Sequence, residues 1–199
     1  SDEKIGVLSE NPDYDSQLED LYDFSKANAI TTDTINEIYN DNKEKIVYLN
    51  STYNTGTVTS ANGFFINEGL IITTYKYIEK TLMRAQNIII SDSSGIVYNL
   101  EGIVTLNSED DIAILKVKEK NENYIKIQEI NTPEKEDAVI TINSKIGVGL
   151  TSSKGIIIST DDKLQTSIPI TEEIQGSPLF DVNGNLVGML NSKLINASI

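Results

Sequence analysis

From Lys45 onward, apolar residues come in short β-branched and aromatic runs separated by turn residues, the pattern of strands rather than helices. The runs Lys45 to Tyr53, Gly56 to Asn67, Leu70 to Thr74, Asn87 to Ser91, Ile96 to Val104 and Ile112 to Val117 predict a first group of strands. The charged stretch Lys118 to Tyr124 has no apolar anchor before Tyr124 and predicts a connector. A second group follows: Ile125 to Ile130, Ala138 to Asn143, Ser152 to Ser159, Lys163 to Pro169, Pro178 to Asp181 and Asn185 to Leu190. Asn183-Gly184 joins the last two and predicts a type I′ hairpin. Many short strands without helical crossovers point to antiparallel sandwiches or barrels.

Ahead of the strands the spacing changes. Leu18, Leu21 and Tyr22, then Ile35, Ile38 and Tyr39, recur at i, i+3, i+4 and predict two short helices packed on a core. Thr34 with Glu37 reads as a capping box for the second of them. The expected organisation is therefore an acidic helical segment at 1–44, a β unit at 45–124 and a second β unit at 125–199.

Composition narrows the function classes. The 199 residues are 39% hydrophobic, enough for a real core, and 30 Asp and Glu against 16 Lys and Arg leave a formal charge of -14. That charge repels phosphate backbones, so nucleic acid is not an expected partner. No apolar run reaches the roughly 18 residues that span a bilayer, and Ser1-Asp2-Glu3-Lys4 is not the start of a signal region. The wealth of Asn, Ile, Lys and Tyr is that of an AT-rich coding sequence, as in a low-GC bacterium.

Histidine and cysteine are both absent. This removes the usual general base, the usual thiol nucleophile and the commonest transition-metal ligands together. The acidic clusters Glu109-Asp110-Asp111, Asp161-Asp162 and Glu172-Glu173 lack the alternating ligands and glycine of a calcium loop, so neither metal nor cofactor is expected.

Three segments, in order, resemble trypsin-like serine proteases of the bacterial HtrA/Deg type. Ala61 to Ile78, ANGFFINEGLIITTYKYI, is similar to the strand, turn and strand that lead to the family's catalytic histidine, with Lys76 at the histidine position. Asp110 to Val117, DDIAILKV, is similar to the strand whose aspartate orients that histidine, and here the aspartate is Asp111. Leu164 to Gly188 resembles the family segment around Gly-Asn-Ser-Gly-Gly-Pro-Leu, with Gln175 at the nucleophile position and Glu173 at the glycine whose N–H helps bind the oxyanion. Ala138 to Ser159 resembles the first strands of the second barrel. The resemblance covers residues 32 to 192 and implies an all-β, trypsin-like double β-barrel preceded by short helices. It ends before the family's usual last strand and helix. Leu194 to Ile199 are then either an abbreviated strand or the end of a truncated barrel.

The same resemblance argues against activity. Lysine, with an ordinary pKa of about 10.4, arrives protonated where imidazole titrates near 6.5. Beside Asp111, Lys76 is expected to stay charged and form a salt bridge. A carboxamide is not a nucleophile, and a carboxylate at 173 opposes the negative charge that develops in acyl transfer. Taken singly, without the resemblance, Lys76 is a solvated lysine, Asp111 a turn or cap residue and Gln175 a loop amide.

The reading that follows is an inactive protease homologue, a pseudoprotease, acting as a peptide- or protein-binding or regulatory module. The resemblance implies an extracytoplasmic setting, with any membrane tether lying outside this sequence. It also implies that Asn191, Ser192 and Lys193 form the edge along which a peptide adds as a strand. Two alternatives stay open: a Ser-Lys hydrolase using Ser177 as nucleophile and Lys76 as base, and a surface adhesin or structural protein without a functional cleft.

Overall fold

A computed structural model describes residues 18–127, 132–161 and 163–191, with the backbone alone at 83–86 and 196–197. The N-terminal segment contains a helical turn at 18–21, helix α1 (Ser25–Asn28) and helix α2 (Thr32–Asn42). The Thr31 side chain caps α2, accepting from the Thr34 N–H at 3.2 Å. The cap therefore lies three residues before the expected one, because Thr31 is the residue with extended backbone (φ -86°, ψ 159°) while Thr34 is already inside the first turn.

Strands β1 (Ile46–Tyr53), β2 (Val58–Asn67) and β3 (Leu70–Thr73) lead into a third helix, α3 (Tyr75–Arg84), followed by β4 (Ala85–Asp92), β5 (Val97–Tyr98), β6 (Leu100–Asn107) and β7 (Ile112–Val117). These seven strands make one curled antiparallel sheet in the order β5-β4-β1-β2-β3-β7-β6. Helix α3 was not expected. Its Tyr77, Ile78 and Thr81 are buried, a helical spacing that continues from the apolar run of β3.

The remaining strands are β8 (Ala138–Lys145), β9 (Gly149–Ser159), β10 (Gln165–Thr166), β11 (Pro178–Phe180), β12 (Leu186–Asn191) and β13 (Asn196–Ala197). They form a closed barrel, β10-β13-β12-β11-β8-β9. The short β13 pairs with both β10 and β12, so the second barrel closes with an abbreviated last strand. Ile125 to Ile127 are not a strand. They belong to the connector, pinned by the Ile125 N–H donating to the Phe65 carbonyl at 2.8 Å, while positions 128–130 of the expected run lie outside the described residues. The 183–184 hairpin is not type I′: Gly184 is at φ +81°, Asn183 is not at positive φ, and the Gly184 N–H donates to the Asp181 carbonyl.

Three apolar clusters explain why the two sheets fold together. Val47, Leu49, Phe65, Ile71, Ile90 and Leu115 fill the first sheet, and Val139, Ile157, Ile168, Leu179, Val187 and Leu190 fill the second barrel. Between them, Ile46, Phe64 and Ile72 of the first sheet meet Ile140, Ile142, Phe180 and Met189 of the second, with Ile38 of α2 closing one end. Strand β8 thus buries both faces, Ile140 and Ile142 toward this interface and Val139 toward its own barrel.

Candidate functional site

The three positions singled out by the sequence converge where β2, β3, the start of α3, the β6–β7 turn and the 172–177 turn meet. Asp111 is 2% exposed and sits at φ +56°, a left-handed conformation that aspartate tolerates better than most residues. Its Oδ1 accepts the Lys76 backbone N–H at 2.8 Å. With Thr74 Oγ1 accepting from the Tyr77 N–H at 3.4 Å, this carboxylate caps the N-terminus of α3, where the helix dipole favours negative charge.

The expected salt bridge is not formed. The Lys76 side chain is exposed, and among the described residues the ion pairs within 4.0 Å are Lys26–Asp137, Lys80–Glu172, Lys116–Glu101 and Lys163–Asp110. The physical reason is local: at the first turn of α3 it is the backbone N–H that points at Asp111, while the lysine side chain gains more hydration outside than it would from a buried partner.

Gln175 is half-buried, with its carbonyl accepting the Asn62 N–H at 2.7 Å and its own N–H donating to the Glu172 carbonyl at 3.3 Å. That amide is turned into the loop. Gly176, at φ +90°, presses its backbone against β2. Ser177 is fully buried, and its hydroxyl donates to the Ile174 carbonyl at 2.6 Å. The Ser177 and Lys76 side chains are not brought together, one being enclosed behind the turn and the other facing solvent, so the geometry of a Ser-Lys pair is absent.

Glu173 does not sit at positive φ, and its carboxylate is engaged rather than projecting into open space. Oε1 accepts the Ile146 N–H at 2.7 Å and the Tyr48 hydroxyl at 3.3 Å, tying the turn to the β8–β9 hairpin and to β1. Burial pushes the Tyr48 hydroxyl above its ordinary pKa, with the Glu173 charge adding to the rise, so the tyrosine stays a donor.

Asn62, which sequence reasoning passed over, is the centre of this arrangement. It is fully buried, and its Nδ2 donates to the Ser144 carbonyl at 2.9 Å and the Glu173 carbonyl at 2.8 Å, while its Oδ1 accepts the Ser144 N–H at 2.7 Å. A polar residue inside the otherwise apolar strand Ala61 to Ile66 was the available signal.

Of the expected peptide edge, Asn191 is 2% exposed and registers with Asn196 of β13, so it presents little surface to a ligand; Ser192 and Lys193 lie outside the described residues. A cavity of about 490 Å³, within the size range of ligand sites, opens elsewhere, between the N-terminal helices and the second barrel. Lys26, Ile30, Thr34, Asp137 and Val182 line it. Among the described residues no group of three or more carboxylates stands in a metal-binding arrangement.

The profile of the trypsin-like peptidase domain matches residues 61–189, which include Asn62, Lys76, Asp111, Glu173, Gln175 and Ser177. The chain belongs to the trypsin-like peptidase family. Within the family it is of the HtrA/Deg type. It is 29% identical over 156 residues to the anti-sigma-I factor RsgI9 of Acetivibrio thermocellus, covering 73% of this chain and 22% of that protein. It is 28% identical over 171 residues to a probable periplasmic serine endoprotease, DegP-like, of Bartonella henselae, covering 77% of this chain and 32% of the relative. The crystal structure of Deg5 superposes with a TM-score of 0.67 at 18% identity, over 84% of this chain and 88% of that one. The serine endoprotease from Yersinia pestis gives 0.66 at 25% identity, over 78% and 56%. The chain thus spans only about a fifth to a third of the length of these two curated relatives.

Proposed function

We propose that this chain is a catalytically inert member of the trypsin-like peptidase family, working as an extracytoplasmic module that binds a peptide or protein and regulates through it. The observation that carries the reading is the state of the triad positions. The carboxylate that would orient a base caps α3 through Oδ1, and Lys76, in the place of that base, is exposed and makes no ion pair with it. Lysine in that place is not the imidazole that the triad chemistry uses, and the Gln175 carboxamide offers no nucleophile. The location is supported by the DegP-like relatives, which are named periplasmic, and the regulatory role by the relative named as an anti-sigma factor.

The test is covalent labelling with a fluorophosphonate, read by intact mass, on wild type, Ser177→Ala and Lys76→Ala. No adduct on any of the three is the expected result. A single adduct on wild type that disappears in Ser177→Ala would make Ser177 an activated nucleophile and overturn the proposal.

A further inference from the structure

We propose that Asn62 and Glu173 are positioning residues that hold the 172–176 turn closed, so that the site is shut by the fold itself and not only by the loss of base and nucleophile. The inference deepens the reading of the chain as an inert protease homologue.

The turn has two faces it could show to the cleft. Acyl transfer requires the N–H of the nucleophile residue to point outward at the developing oxyanion. Here the Gln175 N–H points inward, to the Glu172 carbonyl. Three contacts fix it there. The Asn62 side chain spans from the Ser144 backbone on β8 to the Glu173 carbonyl, the Asn62 N–H takes the Gln175 carbonyl, and the Glu173 carboxylate takes the Ile146 N–H and the Tyr48 hydroxyl. Turning the Gln175 N–H outward rotates the 174–175 peptide unit, whose Ile174 carbonyl Ser177 holds, and pulls with it the two flanking units, whose Glu173 and Gln175 carbonyls Asn62 holds. It would strand the donors of a fully buried amide. A serine at 62 is too short to bridge Ser144 and Glu173 together, and a glycine at 173 has no carboxylate to anchor.

The test compares two engineered proteins in their rate of labelling by a fluorophosphonate. K76H/Q175S restores an imidazole and a hydroxyl; in the labelling step the introduced oxygen attacks phosphorus, the P–O bond forms, the P–F bond breaks, fluoride leaves and the imidazole takes the proton. K76H/Q175S/N62S/E173G adds release of the turn. The expected gain of the second over the first is about 100-fold, the worth of one oxyanion donor. Equal rates within about threefold, whether both proteins label or neither does, would overturn the proposal. Because Asn62→Ser touches a buried network, K76H/Q175S/E173G and K76H/Q175S/E173Q are measured alongside, with far-UV circular dichroism on each. E173G raises the rate, whereas E173Q, which keeps an acceptor for Tyr48 and Ile146, leaves it at the level of K76H/Q175S. A rise with E173Q equal to that with E173G would equally overturn the anchoring role. An adduct on wild type would sink the inert reading but would leave the comparison between variants standing.

Discussion

Gly176→Ala tests how tightly the 172–176 turn is seated on the first sheet. At φ +90°, an added Cβ meets the Asn62 carbonyl oxygen at 1.8 Å, the Asn62 carbonyl carbon at 2.8 Å and Thr73 Oγ1 at 3.0 Å. Carbon and oxygen do not approach so closely, so one backbone must move by more than about 1 Å. Three hydrogen bonds surround this contact: Asn62 N–H to Gln175 O at 2.7 Å joins turn and sheet, while Gly176 N–H to Leu190 O at 2.6 Å and Thr73 Oγ1 to Asn62 O at 2.7 Å hold its two sides. Losing two of them costs about 1–3 kcal/mol and the left-handed backbone about 1–2 kcal/mol more. The stiffer unfolded chain returns about 0.4–1 kcal/mol. The net is about 1–5 kcal/mol, centred near 3.

Gly184→Ala is the internal control. Its φ of +81° is nearly the same, but the nearest atom to an added Cβ is Ile38 Cγ1 at 3.7 Å, an ordinary contact, so it should cost about 1 kcal/mol. The assay is urea unfolding followed by tyrosine fluorescence, for which the 9 tyrosines and absence of tryptophan are suited. Gly176→Ala should exceed Gly184→Ala by about 2–3 kcal/mol with an unchanged m-value. Equal costs within about 0.5 kcal/mol would refute the claim that this turn is pressed immovably onto β2.

Burial pushes the Tyr77 hydroxyl up to about 12, against partial relief from Ser51 and Thr81, so the folded state holds this proton when the unfolded state has already lost it. The stabilisation is fully present below about pH 10 and is lost as pH rises toward 12, a decline of about 2–3 kcal/mol. Tyr77→Phe should flatten that decline in a pH series of urea midpoints, and an unchanged slope would count against the burial argument. Asn62→Ala should cost about 2–4 kcal/mol in the same assay, because three hydrogen bonds of a fully buried side chain are lost together. A cost under about 1 kcal/mol would mean the amide holds little. Ile140→Ala should cost about 2–5 kcal/mol and keep one unfolding transition, since the cluster it leaves belongs to both sheets. Separate transitions for the two barrels would contradict this. Thr31→Ala, removing the α2 cap, should cost about 1 kcal/mol, with no effect expected if the helix end is frayed.

Strands whose two faces differ, or whose both faces are buried, were legible from the residues. β7 matches its expected Ile112 to Val117 because its inward Ala113, Leu115 and Val117 alternate with less buried neighbours. Where local pattern and tertiary placement part, the reading failed. Ile125 and Ile127 look like strand residues but serve the interface cluster from a connector. Ala61 to Ile78 read as strand, turn and strand up to Lys76, whereas Tyr75–Arg84 is a helix whose Tyr77 and Thr81 hydroxyls both meet the Ser51 hydroxyl. At the site, the positions of Lys76, Asp111 and Gln175 followed from resemblance, but their interactions did not. Sequence distance cannot say whether Lys76 meets Asp111 through its ammonium or its amide, and only the start of α3 decides for the amide.

The sequence alone therefore settled what is chemically absent, since a chain with no histidine and no cysteine cannot run imidazole or thiol chemistry whatever its shape. It also carried the β pattern and the order of the motif segments, which are properties of neighbouring residues. The tertiary structure decided what the remaining groups do instead. That Asp111 caps a helix and that Asn62 bridges two sheets both depend on residues distant in sequence, and a hydrogen bond between such residues is specified only when packing has brought them together.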